Sequence, residues 1–116
     1  MIESDRRGDA LVLTVEDPRI DAARAVAFKD AVRRALTPAP GDPPPDRVVM
    51  DLSGVEFIDS SGLGALAASA KALGGGTLHL AGAQPLVLKV LRLTHMDRVF
   101  GLHDDVGAAL TAEGAT

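Results

Sequence analysis

The sequence contains no cysteine, no tryptophan and no tyrosine, and its only aromatic residues are three phenylalanines. Without cysteine there is no disulfide framework, no thiolate metal site and no cysteine nucleophile. With so few aromatic rings the core must be built from leucine, valine and alanine. The chain also lacks the aromatic platforms on which nucleic-acid bases stack.

Positive charge and long apolar runs are scarce as well. Twelve Lys and Arg residues stand against 16 Asp and Glu, which gives a formal net charge of −4. Nucleic-acid binding needs a basic face, so we expect no nucleic-acid partner. No apolar run reaches the roughly 18 residues of a membrane helix, and the charged start "MIESDRRGDA" does not resemble a signal peptide. We therefore expect a soluble cytoplasmic protein without direct membrane insertion.

The order of hydrophobic patterns predicts an α/β fold in a single domain, residues 1–116. The first seven residues are expected to pair with the next strand through a turn at Gly8 and Asp9. Asp21 is placed to cap the first helix, and the proline-rich stretch 37–46 and the segment 53–59 are expected to be loops. Strands that alternate with helices indicate parallel crossovers; we predict strands at 10–16, 47–52, 77–82 and 98–100, and helices at 21–36, 61–73, 84–94 and 104–112.

The block "DSSGLG", residues 59–64, lies between a buried strand and a helix. Backbone N–H groups at a helix start are unpaired and favour negative charge, so a phosphate on Ser60 or Ser61 would find donors there. Gly62 and Gly64 carry no side chain, which would let another molecule approach closely. Asp and Ser are also the preferred helix caps, so the block taken alone is more often a cap with no further role, and one of the two hydroxyls is expected to be the cap.

Other catalytic and metal motifs are missing from the sequence. It contains neither a G-x-S-x-G elbow nor a Walker phosphate loop. Three histidines, at 79, 95 and 103, are spread over three elements without ligand spacing, and we expect surface or strand-face residues there. We predict a protein that is not an enzyme, with no catalytic residue, no metal and no cofactor. A weak nucleotide hydrolase that uses the acidic turn is the remaining enzymatic alternative.

The helix after the serines has an unusual outer face. Lys71 is the only charge there, whereas a solvated face usually holds several. We predict that this face docks a partner or a second copy of the chain, although alanine is also simply the best helix former. The small residues of this face are Ala65, Ala68, Ser69 and Ala72.

The stretch "VVMDLSGVEFIDSSGLGAL" resembles the signature of STAS domains, in particular single-domain bacterial anti-sigma factor antagonists. The segments "RIDAARAVAFKDAV" and "LHLAGAQPLVLKVLRLTHMDRVF" resemble the family's first helix and its region from the fourth strand onwards. The resemblance covers nearly the whole chain. It implies a mixed four- to five-stranded sheet with helices packed mainly on one face.

The resemblance also implies a function, the regulation of transcription by partner switching. Ser60 matches the family serine that is phosphorylated by a partner which is both anti-sigma factor and kinase. The unphosphorylated antagonist binds that partner and frees the sigma factor, and a phosphatase reverses the modification. By resemblance, Asp21 and Asp59 lie near the acceptor. Together with Ser61, Gly62, Leu63 and the small-residue face they form the expected partner-binding surface.

Two further expectations depend on the resemblance. Some STAS domains are small subunits of lipid-transport ABC ATPases with no phosphorylation cycle, and this is the alternative function. His95 stands where relatives usually have glycine after a helix. If the backbone there is left-handed, histidine is tolerated at a cost of about 1 kcal/mol.

Overall fold

Strands and helices alternate through residues 2–74 and 76–112, which the computed structural model describes. The strands are β1 Ile2–Arg7, β2 Ala10–Val15, β3 Arg19–Ile20, β4 Arg47–Asp51, β5 Phe57–Ile58, β6 Leu78–Ala81 and β7 Gly101–His103. The helices are α1 Ala25–Leu36, α2 Ser60–Lys71, α3 Pro85–Leu93 and α4 Val106–Thr111, with a short 3-10 turn at Met96–Arg98. None of these helices is both long and apolar enough to cross a bilayer.

The main sheet has five strands in the order β1-β2-β4-β6-β7. β1 pairs antiparallel with β2, as the sequence predicted, and the other neighbours pair in parallel. Parallel neighbours need crossover connections, and helices α2 and α3 lie in the connections β4–β6 and β6–β7. The predicted α/β fold with a mixed sheet is confirmed.

The helices lie mainly on one face of this sheet, also as predicted. The main core joins alternate strand residues such as Leu13, Met50 and Leu80 to Phe28 of α1, Leu66 of α2 and further buried residues of α3. Among the described residues, the opposite face carries a smaller cluster under α4: Val12, Val49, Ala81 and Ala109. Because side chains alternate along a strand, β2, β4 and β6 must be apolar on both faces, which explains their nearly continuous apolar sequences.

Several predicted element bounds are wrong. Helix α1 begins at Ala25, not at residue 21, and its N-cap position is Arg24, which makes no side-chain cap hydrogen bond. Asp21 instead accepts a hydrogen bond from Arg19 and precedes the helix by one turn. The segment 53–59, predicted as a loop, contains β5, which pairs in parallel with β3. The last strand lies at Gly101–His103. At 98–100, where we predicted it, the chain completes the 3-10 turn that begins at Met96.

His79 and His103 are brought together on the face of the sheet that α4 covers. They lie on neighbouring strands, and Nδ1 of His79 is 2.8 Å from Nε2 of His103. This hydrogen bond needs one nitrogen without a proton, so the bonded pair cannot be doubly protonated. Burial of His79, which is 3% exposed, lowers the pKa of its imidazole, and the charge of Arg47 acts in the same direction. Lone histidines were expected from the sequence, which gives no sign of this pair.

The histidine pair predicts a stability that falls in mild acid. Since the pKa of His79 is lower in the folded chain, the unfolded chain takes up more protons as the pH drops below about 6.5. The contribution of His79 to the free energy of unfolding should therefore be constant above this pH and decrease below it, down to the folded pKa. Urea unfolding between pH 7.5 and 5.5 measures this slope. His79→Gln removes the buried imidazole and should reduce the slope.

His95 adopts the left-handed backbone conformation that we considered for it above, with φ 60° and ψ 19°. Glycine reaches this conformation without the steric cost that a Cβ brings. We expect His95→Gly to raise the free energy of unfolding by about 1 kcal/mol, as measured by urea denaturation. His95→Ala keeps the Cβ and is the matched control. Equal stability of the two variants would contradict this explanation.

Candidate functional site

The block 59–64, called the serine turn below, is held in place by the small parallel pair β3–β5. Arg19 pairs with Phe57 and Ile20 with Ile58. The backbone N–H of Asp59 donates to the carbonyl oxygen of Ile20 at 3.4 Å, which continues the pairing to the start of α2. The segment before α1 and the serine turn therefore form one surface, although the whole of α1 and β4 separates them in the chain.

Asp59 fixes both sides of this surface with one carboxylate. Its Oδ1 accepts from the backbone N–H of Gly62 at 2.9 Å, which caps α2. Its Oδ2 accepts from the backbone N–H of Ala22 at 3.2 Å. The helix cap is thus the carboxylate, and the expectation that one of the two hydroxyls is the cap is wrong. Ser60 and Ser61 are the first two residues of α2.

Both serine side chains are exposed and neither is used by the fold. Within residues 2–74 and 76–112 the Ser60 hydroxyl makes no hydrogen bond, and the same holds for Ser61. A serine at the first helical turn can present its oxygen next to unpaired N–H groups, which suit an anionic substituent. The geometry therefore permits modification of either hydroxyl without loss of a structural contact.

Gly62 is needed by the fold itself. A Cβ on this residue would lie 1.9 Å from the carbonyl oxygen of Ile20 and 2.9 Å from Cγ1 of Ile58. The chain's own β3 strand thus occupies the space that we expected to be open to another molecule. Gly64 differs, because a Cβ there would meet nothing within 4 Å. Of the two glycines, only Gly64 leaves the turn open.

Asp21 lies beside the serine turn between two arginines. Its Oδ2 accepts from Nε of Arg19 at 3.2 Å, and its Oδ1 lies 3.5 Å from Nη1 of Arg24. The hydrogen bond from Arg19 holds the pKa of Asp21 below its ordinary value, and the charges of Arg24 and Arg19 act in the same direction, against the effect of burial. The Arg19 guanidinium also stacks over the Phe57 ring, 4.4 Å from its centroid.

The two arginines were missed as candidates in the sequence. The available signal was their position, two residues before and three residues after Asp21. Charged residues at a predicted helix start are common, however, and only the β3–β5 pairing places their segment beside the serine turn.

The small-residue face of α2 is mostly turned inwards. Ala65 and Ser69 are buried, 2% and 3% exposed, and the Ser69 hydroxyl donates to the carbonyl of Ala65. The expectation that they lie on an outer docking face is wrong, because this face packs beside α1. Small side chains let the two helices approach closely. Leu63 is half-buried and packs against the main core.

A groove of about 310 Å³ remains between the two helices. Ala68, which is half-buried, and Ala72, which is exposed, line one wall. Val26 and Lys29 of α1 line the other. Ala68 and Ala72 are therefore the two members of the predicted face that a partner can reach.

Comparison with known proteins agrees with this architecture. The family model for the STAS domain matches residues 1–109. The chain belongs to the STAS domain family. The match covers every strand and helix described above except the end of α4.

Solved STAS structures resemble this chain over nearly its full length. An anti-sigma factor antagonist from Mycobacterium paratuberculosis is 31% identical, with 96% of this chain and 91% of that chain covered and a TM-score of 0.79. A STAS domain anti-sigma-factor antagonist from Planctomyces limnophilus is 24% identical, with 94% of each chain covered and a TM-score of 0.80. The anti-sigma factor antagonist SpoIIAA in its unphosphorylated form is 15% identical, with 95% and 93% covered and a TM-score of 0.72. The last two comparisons bear on the fold alone.

The two glycines of this STAS domain's serine turn make a matched pair of tests. Gly62→Ala places a methyl group against the β3 backbone, so we expect a loss of at least about 2 kcal/mol, in the range of strongly overpacked sites. Gly64→Ala adds the same methyl group in open space within a helix and should stabilise by about 0.5–1 kcal/mol. Chemical denaturation of both variants measures the difference. Similar stabilities would show that β3 does not pack against the turn in this way.

Proposed function

We propose that this STAS domain is an anti-sigma factor antagonist. It binds an anti-sigma factor that is also an ATP-dependent serine kinase, and phosphorylation of Ser60 by that kinase ends the binding. The sigma factor is free while Ser60 is unmodified, and a separate phosphatase restores this state. The chain acts in the cytoplasm as a single domain, residues 1–116, and contributes a hydroxyl and a surface, while the partner carries the catalysis.

The observation that carries this proposal is the exposed Ser60 hydroxyl at the first turn of α2. Since Asp59 caps the helix, the serine is free of any structural task. The similarity to the Mycobacterium paratuberculosis anti-sigma factor antagonist supports the general role.

The contact surface that we propose consists of the accessible residues around the turn. Ser60, Ser61 and Ala72 are exposed, while Asp21, Asp59, Leu63 and Ala68 are half-buried and reachable at their edges. A phosphoserine adds a charge of about −1.5 to −2 at neutral pH. At a desolvated interface beside the Asp59 carboxylate such a charge is costly. About 3 kcal/mol would weaken binding roughly a hundredfold.

The test is a comparison of variants used as bait in lysate of the source organism. Ser60→Ala should retain an anti-sigma factor with a kinase domain, and Ser60→Asp should retain much less of it, as read by mass spectrometry. Ser61→Ala is the matched control for the acceptor and should still be phosphorylated by the captured kinase, because it leaves the Ser60 hydroxyl in place.

Three results would contradict the proposal in different ways. Stoichiometric phosphorylation of the Ser60→Ala turn would move the acceptor to Ser61. Capture of a transporter ATPase with its membrane partner, and no phosphopeptide from native cells, would favour the lipid-transport alternative. Turnover of ATP by the purified chain, abolished by Asp59→Asn, would establish an enzyme instead.

A further inference from the structure

We propose that Arg19 and Arg24 form a receptor for the phosphoryl group on Ser60, and that the Asp21 carboxylate occupies this receptor while the serine is unmodified. The inference rests on the proposed function in so far as Ser60 is the modified residue. It adds that the chain itself binds its own modification. The ligand is a phosphate monoester attached to the chain, not one brought by a partner.

The backbone places the segment that carries both arginines next to the proposed acceptor. The N–H of Ala22 is bonded to the side chain of Asp59, the residue directly before Ser60. Arg24 follows two residues after Ala22, in a turn that is closed by its N–H donating to the carbonyl of Asp21 at 3.0 Å. Arg19 lies over Phe57, on the strand that leads into the serine turn. The two arginines therefore belong to the segment that the Ala22–Asp59 hydrogen bond holds against the serine turn, Arg19 on β3 and Arg24 directly before α1.

The arginines have hydrogen-bonding capacity to spare. Their side chains are 52% and 44% exposed, against 16% for Asp21. Arg19 donates only its Nε to Asp21, and Arg24 is in ion-pair contact through Nη1. Each guanidinium has five N–H donors, so most of them face solvent. Arginine binds phosphate with two parallel hydrogen bonds. The single contact that each arginine makes to Asp21 leaves N–H donors free for such bonds.

Asp21 is bound to the two arginines in a way that a phosphate can displace. Its Oδ1 is buried yet accepts no hydrogen bond, and it lies at 3.5 Å from Arg24. A phosphate with about two negative charges attracts both guanidiniums more strongly than one carboxylate does. The opposing charges at the turn are the carboxylates of Asp21 and Asp59, and both weaken phosphate binding. The phosphate and Asp21 therefore compete for the same two cations.

The experiment measures the phosphate directly. Phosphoserine is installed at position 60 during synthesis of the full chain, and its second pKa is followed by ³¹P NMR in a pH titration. A nearby cation lowers this pKa. In the otherwise unaltered chain we expect a value at least about 0.5 unit below that of the Arg19→Gln/Arg24→Gln variant, less than the full effect of a buried pair because exposed charges are screened.

Matched variants keep the result specific. Arg33→Gln/Arg34→Gln removes the same charge from the far end of α1 and should leave the phosphate pKa unchanged. Arg24→Gln alone preserves the stacking of Arg19 on Phe57 and should give an intermediate value, which guards against a folding defect in the double variant. Asp21→Asn removes the competitor and should lower the phosphate pKa further.

The receptor would be refuted by equal phosphate pKa values in the unaltered chain, in Arg24→Gln and in Arg19→Gln/Arg24→Gln. An unchanged value in Asp21→Asn would overturn the competition. Because the phosphate is installed and not transferred by a kinase, these outcomes are independent of the bait experiment. A shifted pKa without any phosphorylation of Ser60 in native cells would refute the proposed function alone.

Discussion

The contact between the start of α2 and the segment before α1 is the constraint on which the rest of the site depends. One carboxylate, that of Asp59, accepts from the backbone of Gly62 on its own helix and from the backbone of Ala22 on the other segment. The contact closes only because Gly62 has no Cβ to strike the Ile20 carbonyl. The Asp59 cap, the close approach of Gly62 to Ile20 and the β3–β5 pairing support one another, so none of them can be altered alone.

This constraint determines which groups are available for function. Since Asp59 caps α2 through the N–H of Gly62, neither serine hydroxyl is needed for the cap, and both make no hydrogen bond within the described residues. The β3–β5 pairing and the hydrogen bond from Ala22 to Asp59 hold the segment that carries Asp21 beside the serine turn. The charges around Asp21 are mixed, because its carboxylate lies in ion-pair contact with the exposed guanidinium groups of Arg19 and Arg24. A charge added at Ser60 therefore acts on groups that are already paired.

The two faces of the sheet have different roles. Helices α1, α2 and α3 bury the main core and present the serine turn, while α4 covers only a small cluster on the other face. The histidine pair lies on that second face, and Gly101 leaves room for it, because a Cβ there would lie 2.7 Å from Nδ1 of His79. Mild acid thus acts on the face opposite the serine turn, so its effect on stability is separable from events at Ser60.

The sequence alone determined the elements that depend on local pattern. Buried strands such as β4 and amphipathic helices such as α1 show clear periodicity, and the signature around Ser60 identifies the family. Tertiary structure decided whatever depends on contacts between distant segments. Two-residue strands such as β3 carry no periodicity, and alanine fits an exposed helix face as well as a helix contact, which is why the burial of Ala65 was not predicted. The placement of the segment with Arg19, Asp21 and Arg24 beside the serine turn follows from strand pairing across a long stretch of chain, and no local propensity predicts it.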